Sequence, residues 1–212
     1  MKLFVLFLLI ILTTLNIYAQ GITKFGQIET TNAYFISKNG KTGSVPKLNK
    51  NGQTILSVGD SYQGGIIAYI LQTGDPGYIL GETHGIIAAQ SDQSSSARWG
   101  CQGTTTGATG KILGTGNQNT LAIIKACSTS GIAARLCADL DLNGYTDWYL
   151  PSQEELYKLY INKAAIGGFA NADYWTSSEF NSTDAFDQHF YNGTQPNFPK
   201  TYTMRVRAIR SF

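Results

Sequence analysis

The sequence has 212 residues, of which 14% are charged and 23 are glycines, and its formal net charge is +2. So small a positive charge gives no basis for nucleic-acid binding, which depends on a strongly basic surface. The low charge content and the abundant glycine are typical of a turn-rich extracellular domain rather than of a cytosolic enzyme.

The N-terminus predicts export. Lys2 precedes an unbroken apolar run from Leu3 to Leu12, and Ala19 offers a small residue for cleavage. A ten-residue helix spans about 15 Å, which is too short for a bilayer core of about 30 Å. A signal peptide over residues 1–19 is therefore favoured over an uncleaved membrane anchor. We expect a secreted or cell-surface protein that has no transmembrane helix after cleavage.

Residues 20–56 are expected to form an extension rich in β-hairpins. Asn39-Gly40 and Asn51-Gly52 each stand between β-prone flanks. Asn-Gly is the strongest short-range hairpin signal, because both residues of the tight turn need a positive φ. The main domain is predicted to run from residue 57 to residue 212.

The main domain combines helical and strand-like patterns. Asn119 is a candidate helix cap, residues 132–140 carry an apolar stripe at helical spacing, and Ser152 with Glu155 forms a capping box before a third helix. Strand-like segments occur at 64–71, 84–90, 174–180, 185–193 and 202–210. The prediction is an α+β fold, in which two or three helices pack against a twisted, mostly antiparallel sheet.

A polar, Gly/Thr-rich stretch from Ser91 to Gly116 separates the second strand from the first helix. Loops this long without structure of their own are uncommon, so we expect this one to be functional surface or to be tied by a disulfide. Export permits disulfides, and of the three cysteines we expect Cys101 and Cys127 to pair and Cys137 to stay buried as a free thiol.

Residues 139–144, Asp-Leu-Asp-Leu-Asn-Gly, imitate the start of a calcium loop. An EF-hand loop needs a bidentate Glu at its twelfth position, which here is Leu150. We therefore interpret Asn143-Gly144 as the C-terminal stop of the preceding helix, and we predict no metal and no other cofactor. A looser oxygen site stays open as an alternative at Asp141, Asn143 or Asp147.

Catalytic patterns are missing from the sequence. The two histidines, His84 and His189, show no recognisable arrangement with a Ser or Cys nucleophile, and no metal-ligand spacing such as H-x-x-x-H occurs. The prediction is a protein that is not an enzyme.

Aromatic and basic residues are the candidate ligand-binding groups. Trp99 and Tyr191 could offer ring faces to sugars, although core packing is the alternative for aromatic residues. Arg205 and Arg207 alternate with apolar residues and so share one face of a predicted strand. They could present a basic stripe to sulfated or carboxylated polymers, or else form a solvated face paired with Asp and Glu; two neighbours, Lys200 and Arg210, would complete the stripe.

Three segments resemble the family named for the C-terminal domain of the Lcl collagen-like adhesin. They are Asp-Trp-Tyr-Leu-Pro-Ser at 147–152 with Glu155-Leu156, Tyr-Trp-Thr-Ser-Ser at 174–178, and Val-Arg-Ala-Ile-Arg at 206–210. The resemblance covers about residues 57–212. It implies a fold similar to C-type lectins and formylglycine-generating enzymes, although this chain has no cysteine after Cys137 for the redox pair of those enzymes.

The resemblance also implies binding rather than catalysis. The adhesin domain attaches to glycosaminoglycans, so an extracellular polysaccharide is the expected partner. The alternative is a structural domain of a surface assembly, whose partner would be another surface protein.

Overall fold

A computed structural model describes the chain from residue 54 to residue 212 without interruption, together with short strands at 34–36, 42–44 and 47–48. The predicted signal peptide lies outside the described residues. The chain divides into two units between Leu56 and Ser57. Within the described residues, no helix is both long and apolar enough to cross a membrane.

The described residues of the first unit form two antiparallel strand pairs. Strand β1 (Tyr34–Ile36) pairs with β2 (Thr42–Ser44), and β3 (Lys47–Leu48) pairs with β4 (Thr54–Ile55). Each pair brackets one of the two Asn-Gly dipeptides predicted to form hairpin turns, Asn39-Gly40 and Asn51-Gly52.

The second unit contains two sheets. Their strands are β5 Ser61–Tyr62, β6 Gly65–Ile70, β7 Gly85–Ala88, β8 Ser94–Arg98, β9 Asp173–Glu179, β10 Asp184–His189, β11 Asn197–Pro199, β12 Thr203–Val206 and β13 Ile209–Ser211. The five-stranded sheet has the order β11-β10-β9-β12-β8, and the four-stranded sheet has the order β13-β7-β6-β5. Neighbouring strands are antiparallel except for β9 and β12, which run parallel. The predicted α+β class is confirmed, and the likeness to C-type lectins stays a prediction.

Four helices accompany the sheets: α1 Gly116–Ala126, α2 Ala133–Ala138, α3 Gln153–Ile161 and α4 Lys163–Ile166. Helix α3 begins at the predicted capping box, where the Ser152 hydroxyl accepts from the Glu155 amide and the Glu155 carboxylate accepts from the Ser152 amide. Asn119 does not cap α1, which starts three residues earlier; its side chain instead bonds the backbone of Gly110.

Residues 139–144 do not end a helix at a glycine stop, so that prediction is wrong. Helix α2 ends at Ala138, and Leu142 and Tyr145 form an antiparallel bridge. Asn143 and Gly144 lie between them with φ of 56° and 80°. Two positive φ values in a two-residue connection are the signature of a tight hairpin turn, so this Asn-Gly pair has the role that such pairs have between strands.

The three tryptophans belong to the core. Trp99, Trp148 and Trp175 are buried, and each indole N–H donates to a backbone carbonyl, those of Thr176, Tyr145 and Ala97 respectively. A buried indole needs such a partner, because an unsatisfied N–H inside the protein is costly. These bonds fix each ring relative to a neighbouring segment of the main chain.

Candidate functional site

The predicted basic stripe is neutralised inside the protein. The predicted strand 202–210 is split into β12 and β13, which belong to different sheets, and Arg207 lies in the link between them. Arg205, in β12, and Arg207 nevertheless both bind Asp92, at 2.9 Å and 2.7 Å. Arg207 is buried and also donates to the carbonyl oxygens of Ala89 and Gly168. Of these two arginines, only the half-buried Arg205 reaches solvent. The predicted alternative, a face paired with acidic residues, therefore describes them better than a basic stripe that binds polymers.

The other two basic residues of the stripe are also buried and paired. Lys200 binds Glu179 at 2.7 Å, and Arg210 donates two hydrogen bonds to the carboxylate of Asp147, at 2.7 Å and 2.8 Å. The Arg210 guanidinium holds the pKa of Asp147 below its usual value, against the opposing effect of partial burial. Neither cation is placed to meet a charged polymer.

Trp99 has no ring face available to a ligand. Its side chain is fully buried, and the ammonium group of Lys200 lies 4.6 Å from its ring centroid. The ring therefore stabilises the protein interior, where a cation over an aromatic face is attracted by the ring quadrupole.

Carboxylates hold the Ser91–Gly116 stretch in place. Glu179 accepts hydrogen bonds from the amides of Thr106 and Gly107, and Glu155 accepts one from the amide of Gly114. Buried acids paired with loop amides satisfy the backbone groups that a long loop would otherwise leave bare. Strand β8 lies within this stretch, so the predicted long loop is shorter than expected, and the part that follows β8 is fixed by side chains from distant elements.

The predicted disulfide is not present, because Cys101 and Cys127 are both free thiols. The two side chains are nevertheless hydrogen-bonding neighbours. Burial raises the pKa of Cys101 to about 12, helped by the Cys127 sulfur, while hydrogen bonds from Cys101 and Thr129 outweigh burial and lower the pKa of Cys127. Cys137 is fully buried and free, as expected.

The alternative oxygen site in residues 141–147 does not assemble. Asp147 is occupied by Arg210, and the Asn143 amide donates to the carbonyl of Gly64. Asp141 is exposed. These three side chains therefore do not direct their oxygens at a common point.

A run of aromatic rings does reach the surface, along the outer edge of the five-stranded sheet. We call it the aromatic row: Tyr191, His189, Phe198 and Tyr202. Successive ring centroids are 4.8 Å, 6.1 Å and 5.8 Å apart. Tyr191 and Tyr202, at its two ends, are each 53% exposed. Of the predicted ligand-binding residues, only Tyr191 belongs to this row.

Strand pairing and a short loop build the aromatic row. His189 ends β10, Phe198 sits on the neighbouring edge strand β11, and Tyr202 follows the turn after β11. The connection between β10 and β11 is held by its own polar groups, since the His189 amide donates to the Thr194 carbonyl. Exposed polar side chains flank the rings, namely Asn192, Thr194 and Asn197.

Below the row lies a group of titratable side chains that the sequence reading missed, which we call the acid–histidine cluster: Asp173, Asp187 and His189. His189 Nε2 is 3.1 Å from Asp187 Oδ2 and 3.4 Å from Asp173 Oδ1. Their ligand-type atoms all lie within 4.8 Å of one another. Burial, followed by the charge of Asp173, raises the pKa of Asp187 to about 7.

A family model described as the Lcl C-terminal domain matches residues 89–210, more than half of the chain. The chain belongs to the Lcl C-terminal domain family. A search of curated proteins found no match. Membership indicates a domain associated with a surface adhesin, and the match begins after the first three strands of the second unit.

The motifs that resemble the Lcl C-terminal domain are structural in this chain. Trp148, Trp175 and Arg207 are buried, and each is tied by hydrogen bonds to main-chain carbonyls. The aromatic row lies between the second and third of these motifs, outside the quoted pattern. The residues that carry the family resemblance therefore hold the fold, and the exposed rings are a separate feature.

Proposed function

We propose that this Lcl C-terminal domain is a non-catalytic carbohydrate-binding module, exported and displayed at or released from the cell surface. The single observation that carries the proposal is the aromatic row. The row has a half-exposed tyrosine at each end, the largely buried His189 and the partly buried Phe198 between them, and exposed Asn and Thr residues nearby in the sequence. Aromatic faces pack against the C–H faces of sugars, while neighbouring polar groups bond the hydroxyls.

Stacking rather than charge is the proposed source of affinity. Lys200, Arg207 and Arg210 are buried against carboxylates, so they contribute little field at the surface. Contacts between exposed charges weaken as salt screens them, whereas ring stacking does not depend on that screening. The proposed ligand is therefore a polysaccharide segment that presents apolar sugar faces, and its binding should survive high salt.

A hollow of about 440 Å³ elsewhere in the second unit is a weaker candidate for the same function. It is lined by Asp92, Arg135, Asp139 and Asp141 among others, and none of its lining residues is aromatic. Its charges are mixed, since Arg135 lines it together with Asp139 and Asp141, and Asp92 is already paired with two arginines. The aromatic row offers the sugar face that the hollow lacks.

A glycan array probed with the purified protein tests the proposal. The wild-type protein is compared with Tyr191→Ala/Tyr202→Ala and with the control Tyr157→Ala, which removes an exposed tyrosine from helix α3 instead. We expect wild type and control to bind the same glycans and the double variant to lose them. Binding of no neutral or sulfated glycan by the wild-type protein would contradict the proposal and favour a structural domain of a surface assembly.

A further inference from the structure

The acid–histidine cluster contains buried polar atoms without hydrogen-bond partners. They are both carboxylate oxygens of Asp187, Oδ1 of Asp173 and Nε2 of His189. The Asp187 side chain is 0% exposed, and that of His189 is 12% exposed. Although His189 Nε2 is close to both carboxylates, these contacts lack hydrogen-bond geometry. Buried polar atoms are almost always partnered, so an unpartnered group of this kind requires an explanation.

Strand register brings the three side chains together. His189, the last residue of β10, lies directly opposite Asp173, the first residue of β9. Asp187 precedes His189 by two positions, and side chains two apart on a strand project from the same face. The cluster is thus set by the regular sheet rather than by a variable loop.

The hydrogen bonds around His189 are compatible with a ring that carries its hydrogen on Nδ1. The Thr194 hydroxyl donates its single hydrogen to Asn192 Oδ1 at 2.9 Å, so it acts as an acceptor towards His189 Nδ1 at 3.0 Å. The Tyr191 hydroxyl is a second neighbour of Nδ1, at 2.9 Å. A neutral ring with hydrogen on Nδ1 directs the lone pair of Nε2 at the two carboxylates. Three electron-rich groups then face one another, and a cation between them would relieve the repulsion.

We propose that Asp173, Asp187 and His189 bind one divalent transition-metal ion of the zinc type, through Nε2 of His189 and one oxygen of each carboxylate. With bonds of about 2.1 Å, neighbouring ligands of a tetrahedral ion lie about 3.4 Å apart, close to the two distances at His189 Nε2. Two carboxylates and a neutral imidazole also balance the charge of a divalent ion.

The donor set favours zinc over calcium. Calcium takes six to eight oxygen ligands, whereas imidazole nitrogen suits zinc and related ions. The Asp173 side chain is 36% exposed, so one side of the cluster is open to water for a fourth ligand. A metal-bound histidine usually donates its other N–H to an oxygen that fixes the ring, and Thr194 is placed to be that oxygen.

The metal would join the start of β9 to the end of β10 and fix the ring of His189 in the aromatic row. The site does not depend on sugar binding, because its ligands are defined by the cluster alone. A zinc-binding protein that binds no glycan would leave this proposal intact, and a glycan-binding protein without zinc affinity would leave the proposed function intact.

Calorimetric titration of the chelator-treated protein with zinc chloride tests the proposal. We expect about one zinc ion per chain, an affinity at least about 100-fold lower in Asp187→Asn and His189→Gln, and one about 10-fold lower in Thr194→Val. The matched control is His84→Gln, which changes the other histidine, whose partner is the exposed Glu82, and should leave zinc affinity unchanged. Equal zinc binding by His189→Gln and the wild-type protein would overturn the proposal.

Nuclear magnetic resonance of the wild-type protein gives a result that does not depend on whether a variant folds. The chain has two histidines, so His84 serves as an internal reference for His189. Zinc should shift the imidazole signals of His189 and leave those of His84 in place. If His189 instead stays doubly protonated and unmoved with zinc present, a shared proton occupies the cluster and the metal proposal is wrong.

Discussion

Replacing Lys200 with methionine should strongly destabilise the domain. Lys200 is 1% exposed, and its ammonium group donates to Glu179 at 2.7 Å and to the carbonyl oxygens of Thr104 and Ser182 at 3.0 Å and 3.1 Å. Methionine has a similar length and fills the space beside Trp99. It removes the charge and all three donors, so Glu179 becomes a buried anion without its cation.

Removing one partner of a buried ion pair costs about 3–5 kcal/mol, because the remaining charge stays desolvated. Domains are stable by only about 5–15 kcal/mol in total, so this is a large fraction. At about 2–4 °C per kcal/mol for a chain of this size, the melting temperature should fall by roughly 6–20 °C. The amides of Thr106 and Gly107 still bond Glu179 and limit the loss.

The loss in the free energy of unfolding is measured by urea denaturation, with tryptophan fluorescence as the signal. The matched control is Lys125→Met, which removes an exposed lysine at the end of α1 and should change the free energy of unfolding by less than about 0.5 kcal/mol. Adding Glu179→Gln to Lys200→Met should recover part of the stability, since it removes the unpaired charge. A cost below about 1 kcal/mol for Lys200→Met alone would refute the reasoning.

The same pair predicts the direction of a pH effect. Burial alone would raise the pKa of Glu179, but Lys200 and the loop amides outweigh it, so the pKa lies below its ordinary value of 4.5. The pair's contribution is therefore present above pH 4.5 and is lost as pH falls through the lowered pKa. In Lys200→Met, protonation relieves the buried charge instead. The stability gap between the two proteins should narrow on acidification.

Two further substitutions and one labelling experiment test other contacts. Ser152→Ala removes the cap of α3 and should cost about 1 kcal/mol in urea unfolding; a change below 0.3 kcal/mol, roughly, would contradict the capping role. Gly65→Ala would push a Cβ into the carbonyl oxygen of Ala88, so little folded protein should be recovered. A normal yield with a normal melting temperature would count against this close packing. In native protein iodoacetamide should spare the fully buried Cys137, and peptide mass mapping would detect any labelling there.

Local sequence patterns predicted the elements that depend on local interactions. The Ser152 and Glu155 capping box lies within one turn of helix, so its residues alone determine where α3 begins. The end of α2 was mispredicted because Leu140 continued the apolar stripe. Asn143-Gly144 fits either a helix stop or a hairpin turn, and only the bridge between Leu142 and Tyr145 distinguishes them.

Partners that are distant in sequence were not predictable in the same way. The alternation predicted that Arg205 and Arg207 point the same way, and both bind Asp92, although Arg207 lies just beyond β12. Asp92 itself is more than a hundred positions away in the sequence. Because Asp92 is so distant in the sequence, the burial of the basic stripe could not be inferred from the local pattern. A resemblance in sequence motifs pointed to the family, yet it carried no information about which side chains stay exposed.

The acid–histidine cluster could have been found in part. The spacing H-x-x-x-H places two metal ligands on one face of a helix. On a strand the equivalent spacing is two, and Asp187-x-His189 occurs in a segment already predicted to be a strand. The third residue, Asp173, joins the cluster because the register of β9 against β10 places it opposite His189. The sequence alone does not define that register.

The most direct test of the proposed sugar stacking on the aromatic row uses the glycan that binds most strongly on the array. Its dissociation constant is measured for the wild-type protein, Tyr202→Ala and Tyr157→Ala, at physiological salt and at 1 M salt. Losing one stacking ring should weaken binding by roughly 10-fold, taking about 1.4 kcal/mol for such a contact. We expect this loss for Tyr202→Ala, no change for Tyr157→Ala, and little dependence of either affinity on salt. Unchanged affinity in Tyr202→Ala, together with binding abolished by salt, would contradict it.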